Sequence, residues 1–142
     1  MRLPARARTM AFVLLLCLLG CASIHRRYVV GTWTMRADSE LPANLPRIPA
    51  SFTFSANGTF TALRIPGLFY FPGQRSMRLE SGSGTWRLVT RESRQQVQLD
   101  FQKIENWKGG LPFGAQLEIS GKRLFYFIGD PDEGKIMVFE KK

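Results

Sequence analysis

The histidine and cysteine side chains, which could act as base, nucleophile or metal ligand, all lie near the N-terminus. The chain of 142 residues has one histidine, His25, and two cysteines, Cys17 and Cys21. A catalytic serine or cysteine usually needs a histidine base beside it. Because His25 precedes every predicted strand, we do not expect it to reach a site in the domain that follows. The sequence therefore argues against Ser–His and Cys–His catalysis and against a histidine metal centre.

Carboxylates are the other candidates, since a pair of them can divide the roles of general acid and general base. Asp100 and Glu118 fall on solvent-facing positions of their predicted strands, where ionised carboxylates are ordinary. Glu80 and Glu105 are further candidates within the same domain. We predict that the protein is not an enzyme, with a carboxylate pair inside the fold as the open alternative.

The segment GDPDEGK brings Asp130, Asp132 and Glu133 together, and hard oxygen ligands at such spacing suit Ca²⁺. The segment is too short for an EF-hand loop and lacks the later acidic ligand of that loop. Its proline and glycine are also the residues that a hairpin turn needs. We therefore predict a turn here, with no metal and no cofactor.

Both cysteines lie in an uncharged run, AFVLLLCLLGCAS, whose surroundings are typical of a secretory signal peptide. Arginines at positions 2, 6 and 8 precede an apolar core of residues 10–19, and Gly20 follows it. A helix of ten residues spans about 15 Å, which is too short for a hydrocarbon core of about 30 Å. The pattern favours a cleaved signal over a permanent membrane helix. Cys17 would be removed with that signal.

The tetrapeptide Leu18-Leu19-Gly20-Cys21 resembles the lipobox of bacterial lipoproteins. In that family the cysteine sulfur takes a diacylglyceryl group, cleavage follows the glycine, and the new amino terminus is acylated with a fatty acid such as palmitate. The resemblance implies a signal peptide at 1–20, a tether at 21–27 and membrane attachment through lipid on Cys21. Ala22 stands where an aspartate would signal inner-membrane retention in some enteric-type bacteria, so the periplasmic face of the outer membrane is favoured. Ordinary cleavage near Ala22 with a free cysteine is the alternative.

Loss of the signal would change both the thiol count and the charge. The 121 residues after Cys21 contain no cysteine, and 17 basic residues would face 11 acidic ones, a net charge of about +6. No disulfide could form, so stability must come from a hydrophobic core. Arg26 and Arg27 in the tether could rest on anionic head groups, at about 1 kcal/mol each. Elsewhere basic and acidic residues alternate, so we expect no nucleic-acid partner.

Beyond the tether, apolar and polar residues alternate with a period of two, which predicts half-buried strands. The predicted strands are 28–36, 51–55, 59–65, 75–81, 84–90, 95–102, 115–120, 122–129 and 135–141. Short links between consecutive strands predict an antiparallel meander, and closure would remove its edges. We predict an all-β domain at 28–142, an up-and-down antiparallel barrel of eight or nine strands.

The segment SFTFSANGTFTAL predicts a hairpin whose register depends on the length of its loop. A two-residue loop of Asn57 and Gly58 would place the phenylalanines on both faces. A three-residue loop, 56–58, with Gly58 left-handed pairs Phe54 with Phe60 and leaves every aromatic ring on one face. We therefore predict the three-residue loop.

Alternating strand direction assigns the predicted turns to two ends of the barrel. One end collects ANG, SGSG, NWKGGLPFG and DPDEG, and the other collects residues 37–50, IPGLFYFPG, RESR and SGK. Because the two long, proline-rich segments share the second end, we expect an opening there.

Gly31-Thr32-Trp33 resembles the Gly-x-Trp motif of lipocalin-like barrels. In that family the tryptophan packs across the closed end, and the long loop after the first strand lies over the open end. The resemblance implies a lipocalin-like barrel with Trp33 at its floor. The triplet recurs at Gly84-Thr85-Trp86, where we expect a glycine after a turn and a second floor tryptophan rather than a duplicated half-barrel.

The aromatic run Leu68, Phe69, Tyr70 and Phe71 is either a short extra strand packed on the core or a contact surface at the open end. If that end receives an apolar ligand, these residues would line it together with Leu45 and Ile48.

Two functions stay open. One is a lipid-anchored module that binds a small apolar molecule or an envelope lipid. The other is a protein-interaction lipoprotein, such as an inhibitor, immunity protein or assembly accessory, that uses the barrel rim. An empty apolar interior favours the first and a filled interior favours the second.

Overall fold

The computed structural model describes residues 26–40, 47–66, 79–107, 114–128 and 136–142. The chain divides into two units, Met1–Val30 and Gly31–Lys142. In the first unit, residues 26–29 form one helical turn, and the Val30 N–H donates to the Arg26 carbonyl oxygen over 3.2 Å. The prediction that a strand starts at residue 28 is therefore wrong, because the first strand starts at Gly31.

All the strands described belong to the second unit. They are β1 (Gly31–Met35), β2 (Ser51–Phe54), β3 (Thr59–Pro66), β4 (Leu79–Arg91), β5 (Arg94–Ile104), β6 (Gly114–Ser120), β7 (Arg123–Phe127) and β8 (Ile136–Lys141). Each strand pairs antiparallel with the next, and β8 pairs with β1 through Met35 opposite Phe139. The predicted all-β, up-and-down, closed antiparallel barrel is confirmed, with eight strands.

Two of the predicted strands, 75–81 and 84–90, are not separate, because residues 79–91 form the single strand β4. The segment SGSG lies inside this strand rather than in a turn. A Cβ atom on Gly84 would overlap the carbonyl oxygen of Asp100 on β5, and one on Gly82 would lie 2.9 Å from the Lys103 oxygen. These glycines therefore allow β4 and β5 to approach closely at a bulge. In the sequence, glycines with this role look the same as the glycines of a turn.

The merged strand changes which connections share an end. The hairpin loops after β2, β4 and β6 lie at one end, here called the tight-turn end, and β1 begins there. The connections after β1, β3, β5 and β7 start and finish at the opposite end, here called the long-connection end. The prediction that RESR and SGK share an end with residues 37–50 is therefore wrong, and NWKGGLPFG and DPDEG belong to the connections of the long-connection end instead.

The β2–β3 hairpin has the predicted register. Phe54 is opposite Phe60, and Gly58 has a φ of 88°, a left-handed conformation that glycine adopts without steric cost. The Ser55 N–H donates to the Thr59 carbonyl oxygen over 2.9 Å, and Asn57 Oδ1 accepts from the Thr59 N–H over 3.0 Å. The three-residue loop is confirmed, with every phenylalanine of the hairpin facing inward.

The core lies inside the barrel because inward positions are apolar and outward positions are polar. Trp33, Phe52 and Ala62 occupy one inward row across three strands and are all buried. The neighbouring outward row includes Thr32 and Thr53, whose hydroxyl oxygens lie 3.1 Å apart. The period-two alternation that predicts the strands therefore also separates core from surface.

Candidate functional site

Aromatic side chains fill the middle of the barrel. The Phe52 ring centroid lies 5.2 Å from that of Phe139 and 5.8 Å from that of Phe54. The Phe60 and Phe101 centroids are 5.0 Å apart. All five rings are at most 3% exposed. Rings at such separations are in direct contact, as in a protein core, so this layer of the interior is packed and not a ligand cavity.

Trp86 contacts both the aromatic interior and the β2–β3 hairpin loop at the tight-turn end. It is 4% exposed, and its ring centroid lies 5.5 Å from that of Phe54. Its indole N–H donates to the Ser55 carbonyl oxygen over 3.0 Å, and its backbone N–H donates to the Gly58 carbonyl oxygen over 2.8 Å. The expectation of a turn before Gly84 was wrong, yet Trp86 still packs beside the hairpin loop at this end.

Trp33 lies near the same end, two residues after β1 begins. It is fully buried, and the Lys141 ammonium lies 5.9 Å from its ring centroid, a distance at which a cation interacts with the face of the ring. Gly31 has a φ of 128°, and a Cβ atom there would lie 2.7 Å from Lys141 Cε. The glycine of the Gly-x-Trp triplet therefore leaves room for the lysine that covers the tryptophan.

The most exposed large apolar side chains of the described residues are Ile48, Leu63 and Trp107, at 41%, 51% and 40%. Ile48 precedes β2, and Leu63 lies opposite Ser51, the first residue of β2. Trp107 follows the end of β5, where its N–H donates to the Ile104 carbonyl oxygen over 3.2 Å. All three therefore lie toward the long-connection end, and we call the surface they share the rim.

A β-bulge shapes the rim at Leu63 and Arg64. Ala62 is opposite Gly82 and Ile65 is opposite Glu80, so β3 has one residue more than β4 between these pairs. The extra residue restores Ile65 to the interior, where it is fully buried, and leaves Leu63 and Arg64 both exposed. Arg64 has a φ of 55°, which is unfavourable for a residue with a side chain.

The two arginines of this part of the rim have no ion-pair partner among the described residues. Arg47 is exposed beside Ile48, and Arg64 is exposed beside Leu63. The salt bridges found among the described residues involve neither guanidinium. We call Arg47, Ile48, Leu63 and Arg64 the rim corner. It presents two cations next to two aliphatic side chains.

Ion pairs join β1 to β8 and β7 on the outer surface. The Arg36 guanidinium donates to both carboxylate oxygens of Asp38, over 2.7 and 2.8 Å, and also to Glu140. Arg123 donates to the same Glu140 oxygen over 2.9 Å. The hydrogen bonds from Arg36 hold the pKa of Asp38 and that of Glu140 below their ordinary values. Glu140 of β8 is thus bonded to Arg123 of β7 and to Arg36, which follows β1. None of these ion-paired side chains is buried.

The outer face of β7 and β8 carries a second apolar group. Phe125 is opposite Val138, and Phe127 is opposite Ile136. All four side chains are half-buried. Arg123, on the same face of β7, is bonded to Glu140 of β8 over 2.9 Å.

The carboxylates singled out from the sequence do not form a site in the described part of the chain. Asp100 and Glu118 lie on outward positions, and Glu118 Oε2 is 3.6 Å from Arg94. Glu105 is exposed, and Glu80 is half-buried. Within the described ranges no carboxylate is buried, and no cluster of histidine, cysteine and acidic residues could hold a metal ion.

Most of the residues predicted to bind a ligand lie outside the described residues: Leu45, Leu68, Phe69, Tyr70 and Phe71. Cys21, His25 and the acidic residues of GDPDEGK also lie outside them. Ile48 is the one ligand-binding candidate that is described, and it is exposed at the rim rather than inside the barrel.

Leu63, Arg64 and Trp107 were not predicted from the sequence as functional residues. The sequence does contain a signal for the first two. The inward apolar residues Phe60 and Ala62 have even numbers, whereas the next one, Ile65, has an odd number. A change of parity within one strand indicates a bulge between the two positions. For Trp107 we find no comparable signal, since it follows a strand at a turn that the pattern places only approximately.

No helix in the described ranges is long and apolar enough to cross a bilayer. The chain matches no family model, no curated protein and no solved structure.

Proposed function

We propose that this chain is a lipid-anchored lipoprotein of the cell envelope that acts by binding a partner protein through its rim. The observation that carries the proposal is the contrast between the two parts of the barrel. The phenylalanine rings inside the barrel are buried against one another, while the most exposed large apolar side chains of the described residues lie toward the long-connection end. A surface rather than a cavity is therefore the part available for recognition.

The packed interior argues for protein binding over ligand storage. A barrel that encloses a small apolar molecule needs an open volume lined by apolar side chains. Here Phe52 contacts Phe139 over β1, and Phe60 contacts Phe101 over Gly84 of β4, so neighbouring rings pack against one another along the inner wall. An apolar ligand could enter this layer only by displacing rings that are at most 3% exposed.

The direction of the rim agrees with this role. The proposed tether enters the barrel at Gly31, at the tight-turn end, where β1 begins. The rim lies at the opposite end of the strands, so it faces away from the point at which the tether enters. With lipid on Cys21, the domain would be attached to the periplasmic face of the outer membrane, where its partners would be proteins of the envelope.

The test is a photo-crosslinking scan of the full-length protein in the cells that produce it. A benzoylphenylalanine replaces Ile48, Leu63 or Trp107 at the rim, and Asn57 or Lys122 at the tight-turn end as matched exposed controls. We expect protein adducts from the rim positions and none from the controls. Adducts from the controls alone, or none from any rim position, would contradict the proposal.

A second measurement examines the ligand-binding alternative. Full-length protein in detergent is heated with palmitate or with phosphatidylglycerol, and bound lipid is sought by native mass spectrometry. We expect no rise in melting temperature and no lipid bound inside the barrel beyond the covalent anchor. A saturable rise with either lipid would overturn the proposal in favour of the ligand-binding module.

A further inference from the structure

The rim corner combines two kinds of recognition chemistry within a short distance. Leu63 lies opposite Ser51, and Ile48 precedes Ser51 by three residues, which is about 10 Å of extended chain. Each aliphatic side chain is followed or preceded by an exposed arginine. The corner can therefore contact an apolar side chain and carboxylates at the same time.

The bulge maintains this arrangement at an energetic cost. With regular alternation after Ala62, Arg64 would point into the aromatic core and Ile65 into solvent. The additional residue in β3 reverses both orientations, but it requires Arg64 to adopt a φ of 55°. This region is unfavourable for a residue with a side chain, and such strain is concentrated at functional sites. Glycine would satisfy the backbone, so the arginine at this position points to a use for its side chain.

The sequence segments on either side of the rim corner are basic, and Glu40 and Glu80 are the acidic residues that flank them. Residues 41–50 and 64–78 contain four arginines, at positions 47, 64, 75 and 78, and no aspartate or glutamate. Of these four arginines, Arg47 and Arg64 lie among the described residues, and both belong to the rim corner. A surface of this kind attracts anions and repels cationic partners.

We infer that the rim corner recognises an acidic protein surface in which carboxylates flank an exposed aliphatic or aromatic side chain. The two guanidinium groups would each bind a carboxylate, and Ile48 and Leu63 would cover the apolar side chain between them. This inference rests on the proposed function and names the chemistry of the partner.

A protein surface fits the corner better than a bilayer does. Leu63 and Arg64 lie at a bulge in β3, and Leu63 is opposite Ser51 of β2, so their relative positions are set by strand pairing. An arginine also binds a carboxylate in a planar, bidentate geometry that a defined protein surface can match.

The experiment reverses the charges of the corner in the full-length protein with benzoylphenylalanine at position 63. Arg47→Glu with Arg64→Glu should reduce the yield of the protein adduct about tenfold, because two attractive contacts become repulsive. Arg87→Glu with Arg91→Glu is the matched control, since both arginines are exposed on β4 and the change in net charge is the same. Arg47→Lys with Arg64→Lys should retain most of the adduct.

The adduct is identified by mass spectrometry, and acidic residues at its contact site are changed to lysine. The inference predicts that these changes restore crosslinking to the Arg47→Glu, Arg64→Glu variant. Equal adduct yields from the corner variant and the β4 control would overturn the inference while leaving the proposed function intact. An adduct from Trp107 alone would do the same. Lipid adducts alone, at every rim position, would overturn both.

Discussion

Trp33 is the residue whose side chain should contribute most to the stability of the barrel. It is fully buried near the tight-turn end, between β2 and the Lys141 side chain. Trp33→Ala should lower the free energy of unfolding by about 3–5 kcal/mol, because it leaves a cavity where a large aromatic ring packed. The measurement is a urea midpoint. Trp107→Ala removes the same side chain from a 40% exposed position and should shift the midpoint far less. Equal shifts would show that burial does not distinguish the two tryptophans.

Gly84 is the residue at which a single methyl group should be destabilising. A Cβ atom there would overlap the Asp100 carbonyl oxygen on β5, so β4 and β5 would have to separate. Gly84→Ala should therefore cost about 1–3 kcal/mol, the usual range for overpacking. Thr85→Ala, on the next residue and directed outward, is the control. Equal urea midpoints for Gly84→Ala and Thr85→Ala would contradict the steric overlap expected at Gly84.

At the scale of single elements, the bulge in β3 allows the strain at Arg64 to be measured. Because Arg64 has a φ of 55°, Arg64→Gly should raise the free energy of unfolding by up to about 1 kcal/mol. Arg64→Val should lower it, since a β-branched residue tolerates this conformation least. Chemical denaturation of both variants gives the comparison. A Gly variant less stable than wild type would mean that packing of the arginine outweighs the backbone strain.

The ion pairs between β1, β7 and β8 should make stability depend on pH. The pKa of Asp38 is held below its ordinary value of 3.8 and that of Glu140 below 4.5, chiefly by hydrogen bonds from Arg36. For a depressed carboxyl pKa, the contribution is complete above the unfolded-state pKa and disappears as pH falls through the folded-state pKa. The urea midpoints of wild type and Glu140→Gln should therefore differ at pH 7, and the difference should shrink as pH falls below the ordinary pKa of 4.5 and through the lower folded-state pKa.

The controls for this prediction use salt and a looser pair. Added NaCl should reduce the difference at pH 7, because exposed ion pairs are screened. Glu118 lies 3.6 Å from Arg94, and Glu118→Gln should change the midpoint less than Glu140→Gln does. A difference between wild type and Glu140→Gln that persists unchanged at pH 3 would show that the carboxylate charge is not its source.

The elements show how far the sequence could predict the fold. The β2–β3 register follows from pairing Phe54 with Phe60, because only one loop length leaves the aromatic rings on one face. The continuity of β4 does not follow, because Gly82 and Gly84 could indicate either a turn or a close approach of β5. That distinction depends on Asp100 and Lys103, which are distant in sequence. Ile48 was predicted as a site residue, whereas Leu63 and Arg64 were not, although the change of apolar alternation between Ala62 and Ile65 indicates the bulge that exposes them.

At the scale of the whole molecule, the attachment of the proposed lipoprotein rests on one thiol. Cys21→Ser should leave the protein in the soluble fraction or unprocessed at its precursor size, because the acylated residue would be absent. Cell fractionation with immunodetection provides the measurement, and Ser23→Ala is a nearby control that should stay with the membrane. A Cys21→Ser protein of mature size that sediments tightly with membranes would show that the anchor lies elsewhere.

The pairing of β1 with β8 has a consequence for the time at which the barrel can form. Arg36 and Glu140, which help to close it, are 104 residues apart in the chain. Contacts over such separations slow folding, because the entropy of closing a long loop must be lost before the contacts form. A chain emerging from a ribosome or a translocation channel cannot complete this barrel until its last strand is free. Such a delay would keep the chain unfolded while it is threaded through a membrane, as the proposed export requires.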